Sequence, residues 1–235
     1  MYYPMYYYMD PTYLLVLAGV VICMLASFKM NSTFRKYSRM RNHSGITGRE
    51  AAEQILRRAG IYDVRVEHVA GNLTDHYDPR SKVLRLSDAT YNSTSVAALG
   101  VAAHECGHAI QHDTGYVPLQ IRGALVPVVN FGSTIAWILI AIGLFFNSRS
   151  SIVFLNLGIL AFSLAVVFQL VTLPVEFNAS SRAVHILGGS GMLYEDEVDA
   201  TKKVLFAAAL TYVAGAISSI LQLLRIIMIA NNRKR

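Results

Sequence analysis

Four long apolar runs constrain the fold of this 235-residue chain more than any other feature. They cover residues 13–28, 124–146, 152–173 and 204–229. About 20 apolar residues are enough to cross the hydrocarbon core of a bilayer. Any one run could instead be a buried core helix, but the remaining polar sequence is too short to bury all of them. The pattern predicts a mainly α, polytopic helical membrane protein with about four spans.

The composition also favours membrane insertion. Hydrophobic residues make up 54% of the chain and charged residues 15%, whereas an average soluble domain is about 25% charged. These values exclude a disordered chain and a coiled coil, and they argue against an ordinary soluble enzyme. The net charge of +6 would suit nucleic acid or a membrane surface, and the apolar excess favours the membrane. The two cysteines, Cys23 and Cys106, provide no disulfide framework.

The basic residues indicate the orientation of the chain in the membrane. The tyrosine-rich N-terminus, residues 1–10, has no lysine or arginine, whereas five basic residues follow the first run: Lys29, Arg35, Lys36, Arg39 and Arg41. Because basic residues concentrate on the cytoplasmic side, segments 31–122 and 175–203 are expected in the cytoplasm. The basic tail 233–235 then lies outside, against the same rule, unless the fourth run does not span.

Segment 31–122 has the pattern of a small α+β unit. A capping box at residues 47–50, Thr-Gly-Arg-Glu, predicts the start of a helix. Residues 64–67 and 82–86 are expected to form short strands, and 94–112 is expected to form an alanine-rich helix. The predicted order is therefore helix, strand, strand, helix.

The last of these helices carries the motif His104-Glu105-Cys106-Gly107-His108. Two histidines four residues apart lie on one face of a helix, where both imidazoles can bind one Zn²⁺. Glu105 lies beside the first histidine and is a candidate general base for a zinc-activated water. Two solvated histidines are the alternative, but the flanking residues 101–103 and 109–110 are apolar. The motif predicts a zinc site with His104 and His108 as ligands.

A third ligand has to come from another part of the chain. Cys106 is about 200° round the helix from the first histidine, and His112 is about 12 Å along it, so neither reaches the same ion. Glu176 is the best candidate, because two predicted spans lie between His108 and Glu176 and return both to one membrane face. The alternative for Glu176 is a solvated acid near a helix start. Pro174 is expected to begin the helix that carries it.

Three stretches of the sequence resemble a known family. The motif 104–108 and the stretches 73–80 and 174–178 together resemble the YugP-like membrane zinc metallopeptidases of bacteria, and the resemblance covers most of the chain. It implies a bacterial integral membrane protease with the same three zinc ligands and with Glu105 as base. The chain is more distantly similar to the HtpX-type membrane gluzincins, which implies a gluzincin-like catalytic segment.

The chain departs from the HtpX-type pattern in two ways. One span, rather than a membrane hairpin, precedes the zinc helix, and Ser180 stands where that pattern has an aspartate. Since such a carboxylate orients a ligand histidine, Asn178 or Asp75 is expected to take that role here.

The strand before the zinc helix forms the cleft edge in gluzincins. Residues 82–86 are therefore expected either to be the edge to which an extended substrate adds or to be an internal hairpin strand. Four residues remain open as stabilisers of the reaction's oxyanion: His76, Tyr77, Arg182 and His185.

We expect a zinc metalloendopeptidase of the gluzincin type, which hydrolyses peptide bonds of membrane or membrane-associated proteins. Its cofactor is expected to be Zn²⁺, and its partners the lipid bilayer and extended polypeptide substrates, with a homo-oligomer or a membrane protein partner left open. No nucleic-acid partner is expected, because the basic residues cluster beside the spans. The alternative is a non-catalytic zinc-binding membrane scaffold or adaptor, but zinc binding alone does not need Glu105.

The expected location is the bacterial cytoplasmic membrane, with the active site on the cytoplasmic side. The predicted elements divide the chain into five segments: 1–30, the N-terminus and first span; 31–122, the catalytic segment with the zinc-motif helix; 123–174, a transmembrane hairpin; 175–203, the helix with the third zinc ligand; and 204–235, the fourth span and basic tail.

Overall fold

Helices account for most of the structure, a computed structural model that describes residues 10–146 and 149–232. These residues contain six helices: α1 (Tyr13–Tyr37), α2 (Gly48–Arg58), α3 (Val96–Asp113), α4 (Val117–Phe145), α5 (Arg149–Gly189) and α6 (Glu195–Asn232). They also contain three strands: β1 (Arg65–Val69), β2 (His76–Asp78) and β3 (Val83–Ser87). Four of the helices described, α1, α4, α5 and α6, are long and apolar enough to cross a membrane. The predicted mainly α, polytopic membrane fold is confirmed.

Helix α5 continues well beyond the third apolar run. It has 41 residues and is therefore about 60 Å long, about twice the thickness of the hydrocarbon core. Pro174 lies inside this helix, so the prediction that Pro174 begins a new helix is wrong. Proline removes one intrahelical hydrogen bond, and a long helix of the membrane type tolerates that loss. The chain reaches Glu176 within the same helix that forms the third apolar run.

Contacts within the chain define two compact units. The first consists of the described parts of Met1–Leu25, Val126–Gln169 and Ala214–Arg235. Its buried core comes from α4, α5 and the end of α6, and it includes Ala136, Ile140, Leu155, Phe162, Val166, Ile226 and Ala230.

Two glycines allow α4 and α5 to approach each other closely within this unit. A Cβ atom on Gly158 would lie 2.7 Å from Cγ1 of Ile140, and one on Gly143 would lie 2.9 Å from the backbone nitrogen of Leu155. Since the later residue of α4 meets the earlier residue of α5, the two helices run antiparallel. Small residues at such a crossing permit tight backbone packing between membrane helices.

The second unit consists of Ala26–Leu125 and Leu170–Val213. Within the described residues its sheet has three strands in the order β1-β3-β2, with β1 parallel and β2 antiparallel to β3. The core of the unit is formed by apolar side chains of α2, α3, β3 and the facing turns of α5 and α6, including Ile55, Leu84, Leu86, Leu99, Leu187 and Leu205. Thr47 and Glu50 form the predicted capping box at the start of α2.

The sheet corrects two predictions about the strands. The predicted order lacks β2, which the structure places between β1 and β3 along the chain. The central position of β3 excludes residues 82–86 as the cleft edge, because β3 is hydrogen-bonded to a strand on both sides. The alternative, an internal hairpin strand, is confirmed by the antiparallel pairing of Asp78 with Val83 and of Tyr77 with Leu84.

Candidate metal centre

Helix α3 places the two histidines of the motif side by side. The helix begins after Ser95, whose hydroxyl accepts a hydrogen bond from the backbone N–H of Ala98 at 3.1 Å. His104 and His108 lie one turn apart, with ring centroids separated by 4.8 Å and ring planes at 85°. This arrangement leaves room for one ion to contact a nitrogen of each ring.

Glu176 of α5 completes a cluster of three metal-type donors. Its Oε2 lies 3.2 Å from Nε2 of His104 and 3.6 Å from Nε2 of His108. In a tetrahedral zinc site with bonds of about 2.0–2.1 Å, ligand atoms lie about 3.3–3.4 Å apart. Two imidazoles and one carboxylate are also a donor set that catalytic zinc sites use. The cluster therefore fits zinc in both spacing and chemistry.

No second cluster of three or more histidine, cysteine or acidic donors occurs within residues 10–146 and 149–232. The fold thus brings together the three residues predicted from sequence as zinc ligands, His104, His108 and Glu176. The acidic residues at the start of α6 are not part of this cluster. Glu195 is exposed. Glu197 is buried and accepts hydrogen bonds from the backbone N–H groups of His43 and Tyr194.

Arg122 of α4 holds the second oxygen of the Glu176 carboxylate. Its guanidinium donates to Oε1 at 3.1 Å, while Oε2 faces the histidines. Glu176 is only 2% exposed, and a buried carboxylate requires such a partner. The ion pair thus fixes which oxygen is directed at the candidate metal position.

Two neutral side chains orient the imidazoles. Ser180 lies with its hydroxyl oxygen 3.1 Å from Nδ1 of His104, and the side-chain oxygen of Gln111 lies 3.0 Å from Nδ1 of His108. When each Nδ1 carries the proton, it donates to that oxygen and leaves Nε2 free for a metal.

The structure does not give Asn178 or Asp75 the orienting role that the sequence analysis expects of them. Asn178 accepts a hydrogen bond from the side-chain amide of Gln111 at 3.0 Å. It therefore contacts the residue that orients His108 and not His108 itself. Asp75 accepts from the backbone N–H and the hydroxyl of Ser87, both at 2.8 Å. Ser180, which stands where the HtpX-type pattern has aspartate, lies against His104 instead.

The charges around His108 favour a cation. Burial opposes protonation of its ring, but the hydrogen bond to Glu176 and the charges of Glu105 and Glu176 outweigh burial and raise the pKa of His108. A metal ion that uses Nε2 must displace any proton held there. Zinc binding should therefore weaken as the pH falls, as for histidine ligands in general.

Glu105 lines a cavity beside the cluster. The cavity has a volume of about 140 Å³, and its wall includes His104, Asp75, Leu205 and Tyr212. Glu105 is 8% exposed and is not one of the three converging donors. A small molecule in this cavity would lie next to both Glu105 and a histidine of the cluster.

Cys106 and His112 lie outside the cluster. The thiol of Cys106 points to the backbone oxygen of Ala52 at 3.7 Å, and burial raises the pKa of this thiol. His112 pairs through Nδ1 with the hydroxyl of Tyr77 at 2.9 Å. Both side chains therefore have other partners.

The residues left open as oxyanion stabilisers do not line the Glu105 cavity. Tyr77 is hydrogen-bonded to His112, and Arg182 donates to Asn178 at 2.8 Å. Nδ1 of His76 lies 2.8 Å from the backbone oxygen of Thr74. His185 lines a different groove, next to Phe177 and Phe206. The tyrosine that does line the cavity, Tyr212, is not among the residues predicted from sequence.

Gly107 is a second residue of the site that sequence analysis misses. A Cβ atom there would lie 2.8 Å from the backbone oxygen and 3.1 Å from Cα of Ala179. The absent side chain lets α3 approach the backbone of α5 close to Glu176. Glycine inside a helix costs about 1 kcal/mol relative to alanine, and this cost is the signal that could have drawn attention to it.

Comparison with known proteins adds an independent observation. The family model described as "Putative neutral zinc metallopeptidase" matches residues 12–231. The chain is 49% identical over 218 residues to "Putative membrane protease YugP" of Bacillus subtilis (strain 168), an alignment that covers 93% of this chain and 96% of that protein. No solved structure matches the chain.

Both matches extend over nearly the whole chain and confirm the resemblance inferred from the sequence. The zinc named in the family description also agrees with the donor set on α3 and α5. The chain therefore belongs to the neutral zinc metallopeptidase family, and its cofactor is zinc.

Proposed function

We propose that this chain is a zinc metalloendopeptidase of the gluzincin type, which hydrolyses peptide bonds in membrane or membrane-associated proteins. The observation that carries the proposal is the position of Glu105. Its side chain shares one cavity with His104, which belongs to the cluster of three donors. A protein that only binds zinc needs no acid at this position, whereas hydrolysis needs a base.

The proposed ligands are Nε2 of His104, Nε2 of His108 and Oε2 of Glu176. When bound, zinc supplies a Lewis acid that activates a water and polarises the scissile carbonyl. Glu105 takes the proton of the attacking water and delivers it to the leaving amine. Meanwhile Arg122 holds the carboxylate of Glu176 in place through its other oxygen.

We assign substrate pairing to β2 rather than to residues 82–86. Among the described strands β2 pairs with β3 alone, so its other edge can accept an extended peptide. Leu73 and Asp75, just before β2, line the cavity that contains Glu105. A peptide paired with this edge would thus continue toward Glu105, the proposed base. Only an extended segment can form this backbone pairing.

Activity of the purified protein tests this function. Zinc-loaded protein in detergent should cleave an unstructured reporter peptide, a chelator should stop cleavage, and restored zinc should recover it. The reason is that both activated groups, the water and the carbonyl, depend on the metal. A folded, zinc-loaded protein that cleaves no member of a panel of unstructured and membrane-derived peptides would contradict the proposal and favour the scaffold alternative.

The proposed orientation places the zinc cluster on the cytoplasmic side of the bacterial cytoplasmic membrane. The basic residues between Lys29 and Arg41 support it, since they follow the first span, which usually dominates orientation. The basic tail 233–235, which lies outside the described residues, opposes it. If all four helices span, the tail lies on the same side as the N-terminus, which is outside in this orientation. The basic group after the first span is also larger than the tail, so we give it more weight.

Cysteine labelling tests this orientation. In a Cys23→Ala background, where the remaining Cys106 is fully buried, single cysteines replace Ser44 and Ser190. An impermeant thiol reagent should leave both unlabelled in intact cells and label both after permeabilisation. A cysteine at position 148, between the second and third apolar runs, is the matched control that should react from outside. Labelling of the first two positions in intact cells would reverse the assignment.

A further inference from the structure

The cavity beside Glu105 has one polar group on the wall that α6 supplies. Leu205, Ala208 and Tyr212 are the residues of α6 that line it, and Tyr212 alone among them carries a hydrogen-bond donor. Tyr212 lies in the fourth apolar run, partly buried. Tyr212 therefore lines the same small volume as Glu105 and His104.

Tyr212 is close to the charged groups of the site. Its hydroxyl lies near the charges of Glu176, Glu105 and Arg122. Glu176 does not depend on Tyr212 for its position, because Arg122 holds Oε1 and the two histidines face Oε2. The hydroxyl is therefore available to a second acceptor that enters the cavity.

Peptide hydrolysis creates such an acceptor. As water adds to the carbonyl carbon, negative charge develops on the carbonyl oxygen, and a hydrogen-bond donor aimed at it stabilises the transition state. Tyrosine is protonated at neutral pH, since its ordinary pKa is about 10. It can therefore donate to the oxygen while its own proton remains in place.

We propose that the Tyr212 hydroxyl donates a hydrogen bond to the oxyanion that forms on the scissile carbonyl oxygen. This inference rests on the proposed hydrolytic function and names the group that the mechanism otherwise lacks. Tyr212 is then a catalytic residue, which contacts the reacting oxygen directly, and Arg122 is a positioning residue, which acts through Glu176.

Tyr212→Phe tests the proposal, because it removes the hydroxyl and keeps the ring. We expect kcat to fall about 10²–10³-fold, the usual cost of one oxyanion donor, with little change in KM. The affinity for a phosphinic peptide, whose tetrahedral P–O⁻ group resembles the transition state, should fall by a similar factor in calorimetry. Zinc affinity should stay at the wild-type level. Tyr194→Phe is the matched control, since Tyr194 is an exposed residue near the start of α6.

The measurements separate this proposal from its alternatives. If wild type cleaves peptides and Tyr212→Phe cleaves them and binds the phosphinic peptide equally well, the oxyanion role is wrong. If zinc affinity falls while phosphinic peptide affinity per bound zinc is unchanged, Tyr212 only positions Glu176, and the proposal is likewise overturned. If the wild type itself cleaves nothing, the proposed function fails first.

A fluorinated tyrosine provides a second test that does not depend on the folding of Tyr212→Phe. 3-Fluorotyrosine at position 212 keeps the size of the side chain and has a more acidic hydroxyl. Because a more acidic hydroxyl is a stronger hydrogen-bond donor, the affinity for the phosphinic peptide at neutral pH should rise while zinc affinity stays at the wild-type level. An unchanged or lower affinity for the phosphinic peptide would contradict the proposal.

Discussion

Replacing Glu105 with glutamine should abolish peptide hydrolysis while the zinc content stays at the wild-type level. Glutamine has nearly the same shape as glutamate but cannot accept the proton of the attacking water. Removal of a general base costs about 10²–10⁴-fold in rate. Zinc should remain because Glu105 is not one of the three converging donors. Rates with a reporter peptide and metal analysis of the same preparation provide both measurements.

Glu195→Gln is the control for this substitution. Glu195 is an exposed residue in the first turn of α6, so the same chemical change there should leave the rate unaltered. A Glu105→Gln protein with wild-type activity would show that another group serves as base, and the proposed mechanism would be wrong.

Replacing Glu176 with alanine should remove zinc from the protein and with it all activity. The change deletes one of three donors and leaves two histidines that cannot complete the site. Loss of a side chain that only orients a ligand lowers metal affinity about 10–100-fold. Loss of a ligand itself should therefore lower it further. Competition with a zinc-sensitive dye measures the affinity. Glu176→Gln, which keeps the size of the buried side chain, should show the same direction of change.

The matched control is Glu195→Ala, which should bind zinc as tightly as the wild type. Thermal unfolding of each variant with and without zinc identifies any loss of fold. If folded Glu176→Ala binds zinc with unchanged affinity, the third ligand is elsewhere, and the acidic residues of Glu195–Asp199 become the next candidates.

The parts of the fold that sequence predicts well are local in origin. The capping box of Thr47 and Glu50 satisfies backbone groups within one turn, so it can be recognised without knowing the rest of the structure. The spacing of His104 and His108 depends only on helix geometry. The apolar runs reflect burial in lipid, which depends on composition alone.

The order of the strands could not be predicted, because it depends on pairing between distant residues. Strand β2 has three residues, His-Tyr-Asp, and shows no alternation long enough to detect. Its partner β3 is also paired with β1, and nothing in residues 82–86 shows that both sides are occupied. The continuity of α5 through Pro174 is unexpected for a different reason. Proline disfavours the interior of a helix, but the long apolar helix α5 continues through it.

Most of the supporting residues of the site depend on tertiary packing. Gln111 contacts His108 from three residues further along α3, a local spacing, but only the crossing of α3 and α5 brings Ser180 to His104. The unfavourable glycine inside α3 marks Gly107 as unusual, but its role in this crossing is recognisable only once Ala179 is placed against it. Tyr212 lies in an apolar run, where a tyrosine is expected at a membrane interface for reasons unrelated to catalysis.

The central claim is that one zinc ion is held by His104, His108 and Glu176. A structure of the zinc-loaded protein, with the metal located by its anomalous scattering, tests this claim most directly. We predict zinc bonded to Nε2 of both histidines and to Oε2 of Glu176, each at about 2.0–2.2 Å, with Arg122 still on Oε1. A zinc ion bound without Glu176, or bound to the acidic residues at the start of α6, would contradict the account.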